Sequence, residues 1–252
     1  MLALIGHDGD PVCDALLRAA DRAGLRAARV RDPAAWKVTV QLDGDGRGRV
    51  DLRAPDGTPV TCAVNRSLPP QPGLGPGEYN DLLATWWAAL ALLPGRVVNR
   101  PSPQGFIPSP RLPGAYLTTR PRPCGTAVVA NVHDAHTGRF LYRADGEHPS
   151  AQAPVLRVTP FDPGRAWRLM LAGDQAVELH TPADGLTQRD RAAGQADIRT
   201  FKAAGLGLAL IVLSRAGDGV MRTVAVNPLP SLPHYQDYEE RVHSALMGWL
   251  AG

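Results

Sequence analysis

The stretch LALIGHDGDPVCDALLRAADRAGLRAARV, running from Leu2 to Val30, decides the fold class. Its first four residues are apolar and unbroken, the pattern of a strand buried on both faces. His7-Asp8-Gly9-Asp10 is turn chemistry, and Asp10 can cap a helix that starts at Pro11, whose ring fixes φ at a helical value. Val12, Ala15, Leu16, Ala19 and Ala20 recur at helical spacing, and Gly24 supplies the stop. Residues 27–30 read as a second strand. Strand, helix and strand in this order predict a right-handed crossover and a parallel pair, hence an α/β protein.

The pattern extends outward from that unit. Residues 37–42 and 48–53 alternate around Asp43-Gly44, a hairpin signal, and a further strand is expected at 60–64. A Pro/Gly-rich loop covers 69–77. Residues 78–93 predict the clearest helix, with Leu82, Leu83, Trp86, Trp87, Leu90 and Leu93 on one broad face and Pro94-Gly95 as the stop. Val97-Val98 reads as a short strand. Five prolines between 101 and 113 exclude regular structure and mark a boundary, giving an N-terminal domain over 1–100 and a second over 101–252. Short strands are expected in the second part at 116–118, 127–132, 140–143, 155–158, 167–171 and 176–179, the last two joined through Gly173-Asp174. A helix is expected over 189–203, a strand pair over 206–213 and 221–226, and a terminal amphipathic helix over 235–250. The sheet of this half reads as mixed or antiparallel, so the fold class is α/β (α+β).

Bulk properties exclude several function classes. The chain has 252 residues with 44% hydrophobic and 20% charged residues, enough apolar content for a sizeable core. The net charge is +3, but the basic residues are dispersed with no long run, and only 6% of residues are aromatic; both argue against a nucleic-acid partner. Lysine occurs only at Lys37 and Lys202. Cys13, Cys62 and Cys124 are odd in number and make no CxxC pair, which fits a reducing compartment rather than a disulfide framework. The first residues carry no basic segment or cleavage site, and the longest apolar run, 86–93, is too short to span a bilayer. A cytoplasmic location without a membrane partner is expected.

Several phrases, taken in order, resemble the ATP-grasp superfamily, in its branch of RimK-like and ribosomal-peptide-maturing carboxylate–amine ligases. The opening β-α-β unit is similar to the preATP-grasp domain, as are Ala63-Val64-Asn65-Arg66, the Trp86-Trp87 helix and Arg96-Val97-Val98-Asn99-Arg100-Pro101. Tyr116-Leu117-Thr118-Thr119 looks like the strand after the family's first ATP-grasp helix. Phe161-Asp162-Pro163-Gly164-Arg165-Ala166-Trp167-Arg168 resembles the entry to a phosphate-binding strand, and Val224-Ala225-Val226-Asn227-Pro228 resembles the closing E-x-N-P strand. The resemblance implies a preATP-grasp-like domain followed by a reduced ATP-grasp-like one.

It also implies a chemistry. An ATP-grasp ligase makes an acyl phosphate from a carboxylate and ATP, and an amine then attacks it. Magnesium offsets the polyphosphate charge and takes hard oxygen ligands, which the family draws from carboxylates on two late strands. Here the glutamate position of E-x-N is Ala225, and residues 207–213 contain no acid. Asn227 alone remains as an oxygen ligand. The family's two phosphate- and adenine-holding lysines have no counterpart but Arg143, whereas Arg168 matches a phosphate-binding arginine. Arg143, Arg168 and Asn227 are therefore the candidate nucleotide- or phosphate-binding residues, with salt-bridge or turn roles as alternatives for the latter two. No GxGxxG or P-loop is present, and no metal site is expected.

Two readings follow. The first is a degenerate, non-catalytic ATP-grasp protein, a pseudoenzyme without cofactor. It would bind a peptide, a small metabolite or a partner protein in a natural-product or peptide-modification pathway, with self-association or pairing with an active ligase as further options. The second is an active, divergent ligase using ATP and magnesium, with Asp174, Glu178 or Asp197 supplying metal oxygens from new positions. That reading requires the carboxylates to converge on one point. Trp86, Trp87 and Trp249 read as core residues, with an interface as the alternative. His133-Asp134-Ala135-His136 leads into an expected hairpin turn at 134–138, without a further ligand at metal spacing. Cys124, Ser214 and Ser231 lack any nucleophile motif.

Overall fold

A computed structural model describes residues 1–45, 48–103, 105–108, 166–215, 219 and 221–252, together with the backbone of 140–144 and 156–160. The side chains of Leu42, Arg222 and Val224 also fall outside that description. The strands expected at 116–118 and 127–132, the His133–His136 turn, Cys124 and residues 161–165 lie outside the described residues.

The opening unit folds as its sequence dictates. β1 (Leu2–Ile5), α1 (Pro11–Arg22) and β2 (Ala27–Val30) form the crossover, with Leu2 beside Ala27 in a parallel register. Asp10 accepts a hydrogen bond from Val12 N at 2.9 Å, satisfying a donor of the first turn of α1. β5 (Cys62–Asn65) and β6 (Val97–Val98) complete a parallel sheet of order β2-β1-β5-β6. β1 is buried on both faces. Leu2 and Leu4 pack with Val12 and Leu16 of α1, while Ala3 and Ile5 pack with Trp86 and Leu90 of α2 (Pro76–Leu92). This two-sided burial explains an unbroken apolar run where an open antiparallel strand would alternate. The expected hairpin forms from β3 (Lys37–Leu42) and β4 (Gly48–Arg53) and packs on α2.

β7 (Phe140–Ala144) and β8 (Leu156–Pro160) pair antiparallel, with no other partner strand among the described residues. The second large sheet has the order β10-β9-β11-β12, built from β9 (Trp167–Ala172), β10 (Gln175–His180), β11 (Leu208–Arg215) and β12 (Met221–Asn227). All its pairings are antiparallel. On one face Trp167, Leu169, Leu171, Ala209, Ile211 and Leu213 pack against Phe201 of α3 (Gln188–Ala203). On the other, Met170, Ala172 and Leu208 join Val242, Leu246 and Met247 of α4 (Glu239–Ala251). That cluster also holds Leu2, Leu4 and Leu16, so α4 packs against both halves.

The terminal helix begins at Glu239, four residues after its expected start. Residues 232–234 and 236–238 form two 3₁₀ turns instead, with Tyr235 between them at φ −144°. Pro233 occupies the first turn, and the His234 ring nitrogen accepts from Ser231 N at 3.0 Å, so side-chain hydrogen bonding competes with helix propagation here. Among the described residues, no helix is long and apolar enough to cross a membrane.

Candidate functional site

The register of the second sheet assembles the site. Arg168 on β9 stands opposite Val212 on β11, and Val212 stands opposite Ala225 on β12. His180 on β10 stands on the other side of Arg168. Directly paired residues share a face, so His180, Arg168, Val212 and Ala225 form one row across four strands. The next row along the same face is Val177, Met170, Leu210 and Asn227. The fold thus brings Arg168 and Asn227 onto one face. Arg143 stands opposite Arg157 in the separate β7–β8 pair, and its side chain lies outside the described residues.

Between Arg168 and Asn227 the face is apolar. Val212 and Ala166 are buried and pack with Leu210 and Ala225. Residues two apart on a strand share a face, which is why an E-x-N strand aims both side chains at one ion. Here the first of the two is a methyl group. The Asn227 Oδ1 accepts from Leu229 N at 2.9 Å, closing the turn that leaves β12. Arg168 is exposed.

The donor set on this face does not fit magnesium, a hard cation that takes several oxygen ligands with carboxylates among them. Among the described residues of these two rows, it provides one neutral amide oxygen, already engaged. The carboxylates considered as replacements lie elsewhere. Glu178 accepts from Trp167 Nε1 at 3.0 Å and from the Thr181 hydroxyl at 2.6 Å, on the α3 side of the sheet. Asp197 on α3 accepts from the Thr223 hydroxyl at 2.5 Å. Asp174 sits in the β9–β10 turn. These three do not converge, and among the described residues no group of three or more His, Cys, Asp or Glu side chains could hold a metal ion.

Sequence reasoning missed His180. Simple alternation would place it on the face of Glu178, but a register shift between Glu178 and His180 sets it opposite Arg168. It also missed a polar cluster at the carboxyl ends of the parallel strands. β1 leads through α1 to β2 on one side and pairs with β5 on the other, so this is the topological switch point of the sheet. Arg66 Nε donates to Asp10 Oδ2 at 2.7 Å, and the Cys13 thiol donates to the same oxygen at 3.6 Å. Burial pushes the Asp10 carboxyl up, but the hydrogen bond and charge of Arg66 outweigh it and hold the group below its usual range. Burial, with the Asp10 charge second, pushes Cys13 up to about 12, so it is a neutral thiol rather than a nucleophile. The tryptophans divide. Trp86 is buried, donates to Pro33 O at 3.3 Å and meets Trp36 edge-on at 5.9 Å, whereas Trp87 is partly exposed and donates to Ser102 O.

No family model matches the chain, and no curated protein matches it in sequence. Solved structures do. The ATP-grasp ligase PsnB, complexed with a phosphomimetic variant of its minimal precursor, Mg and ADP, is similar at a TM-score of 0.58 and 17% identity over 98% of both chains. The macrocyclase MdnC bound with precursor peptide MdnA, from Microcystis aeruginosa MRC, gives 0.57 and 13% over 99% of each chain. A RiPP-associated ATP-grasp ligase of Chryseobacterium gregarium, in complex with ADP and a leader and core peptide, gives 0.51 and 10% over 99% of this chain and 96% of that one. At such identities the likeness is one of fold: the chain has the ATP-grasp fold, as its phrases implied.

Proposed function

We propose that this chain is a non-catalytic ATP-grasp-fold protein that binds a peptide in a peptide-modification pathway. One observation carries the loss of catalysis: beside Arg168, the row continues with the apolar Val212 and Ala225 where the resemblance calls for metal-binding carboxylates. Without carboxylates in that row, no magnesium would be held beside Arg168 to offset the charge of a polyphosphate. The fold shared with ligases solved with precursor peptides supports a peptide as the ligand. The ligase alternative requires convergent carboxylates, and Asp174, Glu178 and Asp197 do not supply them.

Titration calorimetry with ATP or a non-hydrolysable analogue, with and without magnesium, tests the reading. The expected result is no magnesium-dependent heat at millimolar nucleotide. Magnesium-dependent binding tighter than about 100 μM, roughly 5.5 kcal/mol, would overturn it and restore a working nucleotide site. Its positive half is tested by the peptide titration described next.

A further inference from the structure

A cleft of about 740 Å³ opens on the opposite edge of the parallel sheet from the switch point, between the amino ends of β5 and β6, the β9–β10 turn and the carboxyl end of α4. This is the volume of a small-ligand or peptide-anchor site. Three cations line it, Arg96, Arg100 and Lys202, and no acidic side chain among the described residues does.

Among the described residues, each cation donates to neutral carbonyl oxygen. Arg100 donates to the carbonyls of Leu90, Ala91, Leu93 and Gly95 at the end of α2. Arg96 donates to the Trp249 carbonyl in the last turn of α4, with its guanidinium 5.4 Å from the centre of the Trp249 ring. Lys202, in the last turn of α3, donates to the Asp174 carbonyl at 3.1 Å and is half-buried. A helix carboxyl end carries about half a negative charge, so each full cation leaves a positive remainder. Arg96 and Arg100 are held in the wall by helix-end carbonyls and supply the field; Lys202, on a single carbonyl among the described residues, is the cation able to turn toward a ligand. Val97, Leu206, Leu250 and the Trp249 ring also line the cleft, so apolar surface lies beside the cations, which suits a peptide segment with an apolar side chain better than a compact ion.

We infer that this cleft binds an acidic peptide segment, with a ligand carboxylate on Lys202 and an apolar ligand side chain against Trp249. The inference deepens the peptide-binding reading and rests on it, by naming a place and a charge for the peptide. The test uses the full chain and fluorescein-labelled hexapeptides, one glutamate-rich, one neutral and one lysine-rich, followed by anisotropy. The glutamate-rich peptide is expected to bind at least tenfold tighter than the others and to weaken as salt rises. Lys202→Glu should weaken it at least tenfold and Lys202→Met by less, since the methionine keeps the stem without the charge. Circular dichroism checks that both variants fold. If the acidic peptide binds the wild type and both variants equally, this cleft is not its site, while the peptide reading stands. Competition by inorganic phosphate at equal potency would make the site one for small anions and overturn the assignment. If no peptide binds, both this inference and the peptide reading fail.

Discussion

Asn99 shows how one side chain can fix the geometry of a site it does not belong to. It is fully buried, follows β6 and adopts φ 55°, a left-handed conformation that asparagine tolerates better than most residues. Its amide is saturated. Nδ2 donates to Leu208 O at 3.1 Å and to Pro228 O at 2.8 Å, while Oδ1 accepts from Gly207 N and Leu208 N, both at 3.0 Å. The parallel sheet is thereby tied to the start of β11 and to the residue after Asn227. Asn99→Ala would strand buried groups on both sides and keep an unfavourable φ, a loss of about 3 kcal/mol or more. Asn99→Gly loses the same bonds but accepts the φ, so it should be the milder of the two by about 1 kcal/mol. Urea unfolding of the two variants decides this: a glycine variant as unstable as the alanine one would mean that the backbone conformation contributes nothing.

At the scale of elements, α4 is held by a buried polar pair. His243 Nε2 lies 3.1 Å from the Tyr235 hydroxyl, and their rings meet edge-on at 5.6 Å. Burial, with the charges of Arg22 and Arg18 on the facing α1 added, pushes His243 down from 6.5 to about 4. Glu239 stands 3.6 Å from Nδ1, but it is partly exposed and does not reverse that shift. Because the folded value lies below the unfolded one, the unfolded chain takes up the proton first as pH falls. Stability contributed here is intact above pH 6.5 and is lost progressively down to about pH 4, by up to roughly 3 kcal/mol. His243→Gln should flatten the stability profile in that window; an unchanged acid slope in the variant would assign the effect to other groups. None of this was legible in the sequence, where His243 is one polar residue in an amphipathic helix. Elements set by local signals were legible: the Asp10-Pro11 start of α1, the Asp43-Gly44 hairpin and the Gly173-Asp174 turn. The apolar row at Val212 and Ala225 was legible in part, through the missing acids. Its junction with His180 was not, because a register shift follows from how two strands pair and leaves no mark in one of them. Asn99 reaches residues more than a hundred positions away, beyond any local reading.

For the whole molecule, the question is whether the two large sheets are one folding unit. A single apolar cluster runs through Leu4 of β1, Leu16 of α1, Val98 of β6, Met170 of β9, Leu208 of β11 and Leu246 of α4. The last helix of the chain therefore packs on its first helix and on β9 and β10 together. Interior packing is close to that of a crystal, so loss of volume at Leu246 would be felt on both sides of the helix. Leu246→Ala should cost about 2–5 kcal/mol. If the cluster couples the sheets, amide exchange should quicken at 2–5 and 62–65 as much as at 167–172 and 208–213, and far- and near-ultraviolet dichroism should melt at one temperature. Loss of protection confined to the second sheet would mean that two separately stable units meet at α4. The coupled outcome matters for function. The proposed peptide cleft is walled by β5 and β6 on one side and by the β9–β10 turn, the end of α3 and the end of α4 on the other. Only a cooperative unit would hold Arg96, Arg100 and the backbone that carries Lys202 at fixed separations before a ligand arrives.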